Sequence, residues 1–323
     1  MTQPNSNLPN LNAKIEEFIT ELENKETKPL YELSPEKARE FLNELQAKNY
    51  KNIPAQIEDK TIMTNSAGNV NIRIVRPTDN YQKLPVIIYA HGGGWILGGK
   101  ETHDMLIRTI ANKVGAAVIF PEYSLAPEFQ YPTQLEEIYG VIKYVNEKPE
   151  EFNVDNTKII LAGDSAGANM ATVLAIKSQE DNLTPQIRFQ CLFYPVTNLD
   201  MDTNSYKDFK NGPWLSHKAM EWFASSYAPQ KEEKKSYYVS PLKADIEKLY
   251  GLPQTLIITD ENDVLRDEGE AYARKLDMAG VDVLCLRVNG TIHDFLILNA
   301  LFDTIQTQST IDFSCQMMKK AIS

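Results

Sequence analysis

KIILAGDSAGANM, residues 158–170, changes character in mid-course. Ile159 to Ala162 form an apolar run that predicts a buried strand. Gly163 and Gly167 then flank Asp164-Ser165-Ala166, and ANMATVLAIKSQ (168–179) continues as a helix. Glycine at both flanks is what a sharp strand-to-helix turn needs, because bulk there would collide with neighbouring backbone. Such a turn lifts the Ser165 hydroxyl clear of the sheet. It also sets the hydroxyl at a helix N-terminus, where the dipole favours developing negative charge. The G-x-S-x-G pattern in this context marks Ser165 as a candidate nucleophile.

Outward from this turn, strands and helices alternate. KLPVIIYA (83–90), GAAVIFPEY (115–123), FQCLFYPV (189–196), PQTLIIT (253–259) and VDVLCLRV (281–288) predict further strands. TQLEEIYGVIKYVNEK (133–148) and DEGEAYARKLDMAG (267–280) predict helices, and a long terminal helix follows from about Asp294. Ahead of them, IEDKTIMT (57–64) and NVNIRIVRP (69–77) form an antiparallel start around the SAG turn. The order predicts an α/β fold: a mostly parallel eight-stranded sheet flanked by helices on both faces.

Two regions lie outside that rhythm. Leu11 to Lys25 and the segment after Ser34-Pro35 carry apolar residues at helical spacing, the second with a hydroxyl N-cap and proline at N1. Residues 1–9 read as frayed. Between two strands, 198–235 carries Tyr206, Phe209, Trp214, Trp222, Phe223 and Tyr227. It reads either as a helical excursion with its own small core or as a lid over a pocket, built with the two N-terminal helices. The organisation is therefore N-terminal helices (1–50), a core in two parts (51–197 and 236–323), and an insertion (198–235).

Bulk properties narrow the function. A net charge of −11 disfavours phosphate backbones and anionic membranes, so no nucleic-acid partner is expected. No apolar run approaches 18 residues, which excludes a predicted membrane span. The N-terminal stretch lacks a basic start followed by an apolar run, so no signal peptide is read. Cys191, Cys285 and Cys315 form no metal-binding spacing; Cys191 and Cys285 read as small core residues. The sparse cysteines fit a reducing, cytoplasmic compartment.

A serine nucleophile needs a base, and the base an orienting acid. In strand–elbow–helix hydrolases these follow in the order serine, acid, histidine. Of four histidines, His91 and His103 precede Ser165 and His217 falls in the aromatic insertion. That leaves His293, in a short loop after the last strand. TLIIT ends in DENDVLRD, offering Asp260, Glu261, Asp263 and Asp267. Asp267 suits a helix cap, Asp260 and Glu261 sit close to the strand end as structural residues, and Asp263 is the preferred acid.

VIIYAHGGGWILGGK (86–100) supplies the remaining part. Backbone N–H groups can approach an oxyanion only where no side chain intrudes, so Gly93 and Gly94, with Ala166 after the nucleophile, are the expected donors. His91 would anchor this loop. G-W-I-L-G-G-K-E (94–101) nearly matches a phosphate loop. It ends in Glu101 where a magnesium-binding hydroxyl is required, and a carboxylate there repels phosphate.

HGGGW, YSLAPE (123–128), GDSAGAN and DVLRDEG together resemble the hormone-sensitive-lipase-like branch of the α/β-hydrolases, which includes bacterial carboxylesterases and arylacetamide deacetylases. The resemblance runs from about Lys83 onward. It implies an α/β-hydrolase fold with a helical cap, a Ser165–Asp263–His293 triad, and an oxyanion hole at Gly93, Gly94 and Ala166. The activity it implies needs no cofactor and no metal. The expected partner is a small-molecule ester with a small apolar acyl group, with Trp95, Phe209 and Trp214 as candidate substrate contacts. The branch also suggests a homodimer. Val264 stands where proline often follows the acid, and Asn262 where a bulkier residue commonly precedes it. Asp164, Asn169, Glu122 and Glu128 read as structural hydrogen-bonders. Plant gibberellin receptors resemble this branch but lack the histidine, so His293 argues against a purely binding role. An amidase or deacetylase with the same triad is the nearer alternative.

Overall fold

A computed structural model of the chain describes residues 10–25 and 28–323. The frayed segment read at residues 1–9 lies outside them. Eight strands form one sheet: β1 (Gln56–Thr64), β2 (Gly68–Arg76), β3 (Leu84–Ala90), β4 (Ala117–Glu122), β5 (Val154–Asp164), β6 (Phe189–Phe193), β7 (Gln254–Asn262) and β8 (Val283–Ile292). Their order is β1-β2-β4-β3-β5-β6-β7-β8. The β1–β2 and β2–β4 pairs are antiparallel and all later pairs are parallel. The mostly parallel eight-stranded sheet is the one that the alternation predicts, and the architecture is the α/β-hydrolase fold that the motif resemblance implies.

Strand periodicity divides the core. Val86, Ile88 and Ala90 of β3 face one apolar layer, and Ile87 and Tyr89 the other. In β5, Ile159 and Leu161 oppose Ile160 and Ala162 in the same way. Burial on both faces explains why these strands read as continuous apolar runs rather than alternating ones. One layer is filled by α4 (Thr133–Glu147), α5 (Ala166–Glu180) and α9 (Arg266–Met278), the other by α3 (Asp104–Val114) and α10 (Ile305–Ala321).

The N-terminal helices α1 (Ala13–Glu23) and α2 (Pro35–Ala47) begin where Asn12 and Ser34 cap them. Ile15 and Phe18 of α1 join one core layer, and Ala38 and Leu42 of α2 the other. Gln46 on α2 donates through Nε2 to Thr102 O and Ile297 O, both at 2.7 Å, pinning two loops of the core. Arg39 donates to the carbonyls of Ile96 (2.8 Å) and Ala126 (2.9 Å) and pairs with both oxygens of Glu128. The insertion folds as short helices α6 (Asn204–Asp208), α7 (His217–Tyr227) and α8 (Lys231–Lys235).

Several expectations need correction. The terminal helix begins at Ile305, where Thr304 accepts from Thr307 N–H, not at Asp294. The intervening FLILNALF (295–302) looks helical because it is apolar, but it is a turn-rich segment with one 3-10 turn at Asn299–Leu301, buried except at Ala300 and Phe302. Helix α3 carries no side-chain cap at His103 and escapes the start-signal reading. Asp267 does not cap α9; its carboxylate accepts from Ser205 N–H at 2.8 Å. Cys191 is buried in the core, whereas Cys285 is only partly covered. No helix among the described residues is long and apolar enough to cross a membrane.

Candidate active site

Ser165 sits between β5 and α5 with φ 53° and ψ −120°, a strained conformation for a residue with a side chain. The neighbouring glycines permit it. A Cβ on Gly167 would overlap the Ala90 carbonyl, so the helix could not approach β3. The turn is fastened from below, as Ser165 N–H donates to Phe193 O at 2.8 Å.

The loop after β8 brings His293 to Ser165. His293 Nε2 lies 2.8 Å from Ser165 Oγ, and Nδ1 lies 2.8 Å from Asp263 Oδ2. With Nδ1–H donating to the carboxylate, Nε2 is free to accept the serine proton. Asp263 is held in turn, because its Oδ1 accepts from Leu265 N–H at 3.0 Å. Asn262 donates to Thr291 O at 3.0 Å and so ties the strand end that precedes Asp263 to the strand end that precedes His293. All three side chains are buried, Ser165 being 4% exposed. Three residues scattered through the sequence thus form one continuous hydrogen-bonded relay.

Burial alone would lower the His293 pKa. The charges of Asp263 and Asp294 and the hydrogen bond to Asp263 outweigh it and hold it up at about 9. Asp294, the next residue, has φ 67°, which turns its carboxylate back toward the ring. Its Oδ1 lies 3.5 Å from His293 Nε2. Tyr194 covers the other side, its ring meeting the imidazole edge-on at 4.8 Å. Neither Asp294 nor Tyr194 was singled out from the sequence. Adjacency to His293 was the only signal for Asp294, and nothing local marks Tyr194.

The glycine loop lies opposite. Gly93, at φ 102°, folds its carbonyl back to accept from Leu97 N–H at 2.8 Å. Gly92 N–H donates to Asp164 Oδ1 at 3.1 Å, tying the loop to the serine turn. The same carboxylate accepts from Tyr89 Oη at 2.8 Å and faces His103 Nε2 at 3.3 Å. Among the described residues, the N–H groups of Gly93, Gly94 and Ala166 make no hydrogen bond. Unsatisfied donors beside a serine suit an incoming anion. His91 is buried, and burial together with the neighbouring His103 charge presses it down to about 3. It stays neutral, and its Nδ1–H donates to Gly92 O at 2.8 Å, an anchoring contact.

A model of the alpha/beta hydrolase fold family matches residues 87–297, from the strand before the glycine loop to beyond His293. The chain belongs to the α/β-hydrolase family. A protein of Acanthamoeba polyphaga mimivirus named for that fold is 42% identical over 312 residues, 96% of this chain and 88% of its own length. A carboxylesterase of Mycobacterium tuberculosis is 34% identical over 245 residues, 75% of this chain and 76% of its own. Among solved structures, a thermostable esterase from Pseudomonas putida superposes with a TM-score of 0.96 at 38% identity, covering 98% of this chain and 99% of that one.

In this hydrolase the three aromatic residues read as substrate contacts separate. Trp214 donates Nε1–H to Asp294 Oδ2 at 2.8 Å. It also lines a cavity of about 240 Å³ with Ile19, Leu22, Leu30 and Phe41 of the N-terminal segment. Phe209 instead packs under the Arg266 guanidinium, 5.3 Å from its centre. Trp95 has no accessible surface and stacks flat on Tyr227 of α7 at 4.3 Å, so its ring fastens the insertion to the core. Phe223 of α7 lies against Gly94, where a Cβ would overlap the ring. The insertion therefore covers the glycine loop. The structural roles expected of four polar residues are visible as contacts. Asp164 holds Gly92, Asn169 donates to the carbonyls of Val196 and Val239, Glu122 pairs with Lys100, and Glu128 pairs with Arg39. Among the described residues, one group could offer a metal three ligand atoms: Asp260, Asp263 and His293, within 4.8 Å of one another. Two of these already serve the relay to Ser165.

Proposed function

We propose that this hydrolase is a cofactor-independent serine carboxylesterase acting on small apolar acyl esters. The observation that carries the reading is the pair of 2.8 Å contacts linking Ser165 to His293 and His293 to Asp263. Ser165 Oγ attacks the ester carbonyl while Nε2 takes its proton. The resulting oxyanion meets the N–H groups of Gly93, Gly94 and Ala166. The imidazolium then protonates the leaving alcohol, and an acyl-enzyme remains. Water gives its proton to His293, attacks the acyl carbon, and releases the acid as Ser165 regains its proton. Asp263 holds the tautomer and stabilises the imidazolium without taking the proton.

The esterase names of its relatives support this class, as does the burial of Ser165, Asp263 and His293. Three free cysteines support a reducing compartment such as the cytoplasm. A panel of p-nitrophenyl esters of rising chain length, run beside the matching anilide, tests the reading. Fast turnover of the short esters with slow anilide cleavage is expected. Preferential anilide cleavage would make the protein an amidase, and no turnover of either would leave a binding protein.

A further inference from the structure

Asp260 stands near the end of β7, three residues before Asp263, and the ester chemistry above makes no use of it. Its side chain is fully buried, and neither carboxyl oxygen has a hydrogen-bond partner among the described residues. Yet an Asp260 oxygen, an Asp263 oxygen and a His293 ring nitrogen lie within 4.8 Å of one another. The titratable groups facing this point come from three elements. Asp263 follows β7, His293 and Asp294 follow β8, and the buried Tyr194 follows β6. No lysine or arginine pairs with Asp260 among the described residues.

An ionised Asp260 would add a third negative charge around one imidazole. An uncompensated buried carboxylate is so costly that the group takes up a proton instead. Burial, with the charges of Asp263 and Asp294, indeed pushes this carboxyl well above its usual range. Protonation changes its chemistry, since a neutral carboxylic acid owns an O–H donor that a carboxylate lacks. The Asp263 carboxylate is the acceptor that a turn of the Asp260 side chain would meet, one oxygen of each lying within 4.8 Å. Its oxygens already take Leu265 N–H and His293 Nδ1–H, and each keeps a lone pair.

We propose that Asp260 is a positioning residue of the relay: a neutral carboxylic acid whose O–H leans on Asp263 and restrains that carboxylate's pull on His293. The proposal rests on the Ser165–His293–Asp263 reading. Asp260 keeps its own proton throughout the cycle. By drawing negative charge density away from the imidazole, it leaves His293 a free base at lower pH than Asp263 and Asp294 alone would allow.

The test compares wild type, Asp260→Ala and Asp260→Asn. It measures kcat/KM for p-nitrophenyl acetate and the rate of Ser165 phosphonylation by a fluorophosphonate, each against pH. Loss of the donor in Asp260→Ala should move the acid limb of both profiles upward by about 0.5–1 pH unit. Asp260→Asn, whose amide can donate in its place, should stay closer to wild type. A downward movement would mean that Asp260 is ionised, and no movement that it only fills space. An equal upward movement in both variants would deny the donor. Each of these outcomes overturns the proposal. An infrared difference spectrum, wild type minus Asp260→Asn at pH 7, should show the carbonyl stretch of a protonated acid. Its absence overturns the proposal even if the alanine variant does not fold. Failure of wild-type Ser165 to react at all would strike the triad reading instead, so the two failures are distinguishable.

Discussion

Trp214 of the insertion donates its indole N–H to Asp294 Oδ2 at 2.8 Å, while the other oxygen of that carboxylate lies 3.5 Å from His293 Nε2. One side chain from outside the sheet is thereby joined to the loop that carries the base. Trp214→Phe keeps most of the apolar contact with Phe18 and the N-terminal cavity but removes the donor. Leaving a buried carboxylate oxygen unpaired costs about 1–3 kcal/mol. Thermal unfolding should register that loss. Asp294 should also hold the imidazolium more strongly, so kcat/KM should fall more at pH 7 than at pH 9.

Activity and stability should move in opposite directions with pH. His293 must be neutral to act as a base, so kcat/KM should climb with pH and level off above about 9. Its raised pKa contributes stability that is full below the unfolded value of 6.5 and lost as pH rises through about 9. Glu268 adds to this loss. Its buried carboxyl is pushed by burial to about 8, above the ordinary 4.5 of a glutamate, so folding is penalised increasingly as pH rises between these values. Denaturant midpoints should therefore decline from mildly acidic to alkaline pH. Glu268→Gln should flatten that slope, since an amide can still accept from Thr197 N–H and Asn198 N–H through its oxygen. An unchanged slope would contradict the assignment.

The glycine loop is testable at Gly93. Its φ of 102° disfavours any side chain, and a Cβ would overlap the Leu97 carbonyl that the loop folds around. Gly93→Ala should displace a donor and lower kcat by about 10²–10³, with KM changed little. Circular dichroism should show the sheet intact. A variant with normal kcat would remove Gly93 from the oxyanion hole.

Arg39 measures how firmly α2 is docked. It satisfies the carbonyls of Ile96, in the glycine-loop segment, and Ala126, in the YSLAPE segment. The Glu128 partner is half exposed and contributes little. Arg39→Ala should cost about 1–3 kcal/mol through the two carbonyls and speed amide exchange in α2 more than in α5. Uniform acceleration across both helices would show that α2 does not loosen separately.

The sheet was legible because its strands obey simple periodicities. The site was legible because chemistry constrains it: a serine between glycines, one histidine in the right chain order, and a glycine run after a strand. What escaped depends on tertiary direction. Trp95 resembles a pocket residue from its place beside the glycines, yet its φ of 61° sends the ring under α7 against Tyr227. Asp260 and Asp263 share a residue type three positions apart, and only the fold shows that one is held by Leu265 N–H and His293 while the other has no partner. FLILNALF reads as helix because apolar residues surrounded by core carry no period.

Mapping a fluorophosphonate adduct by mass spectrometry tests the central claim most directly. A single adduct on Ser165 is predicted. It should be absent from Ser165→Ala, whose turnover should fall by about 10⁶, and formed far more slowly in His293→Ala. Label found on another residue, or ester hydrolysis persisting in Ser165→Ala, would contradict it.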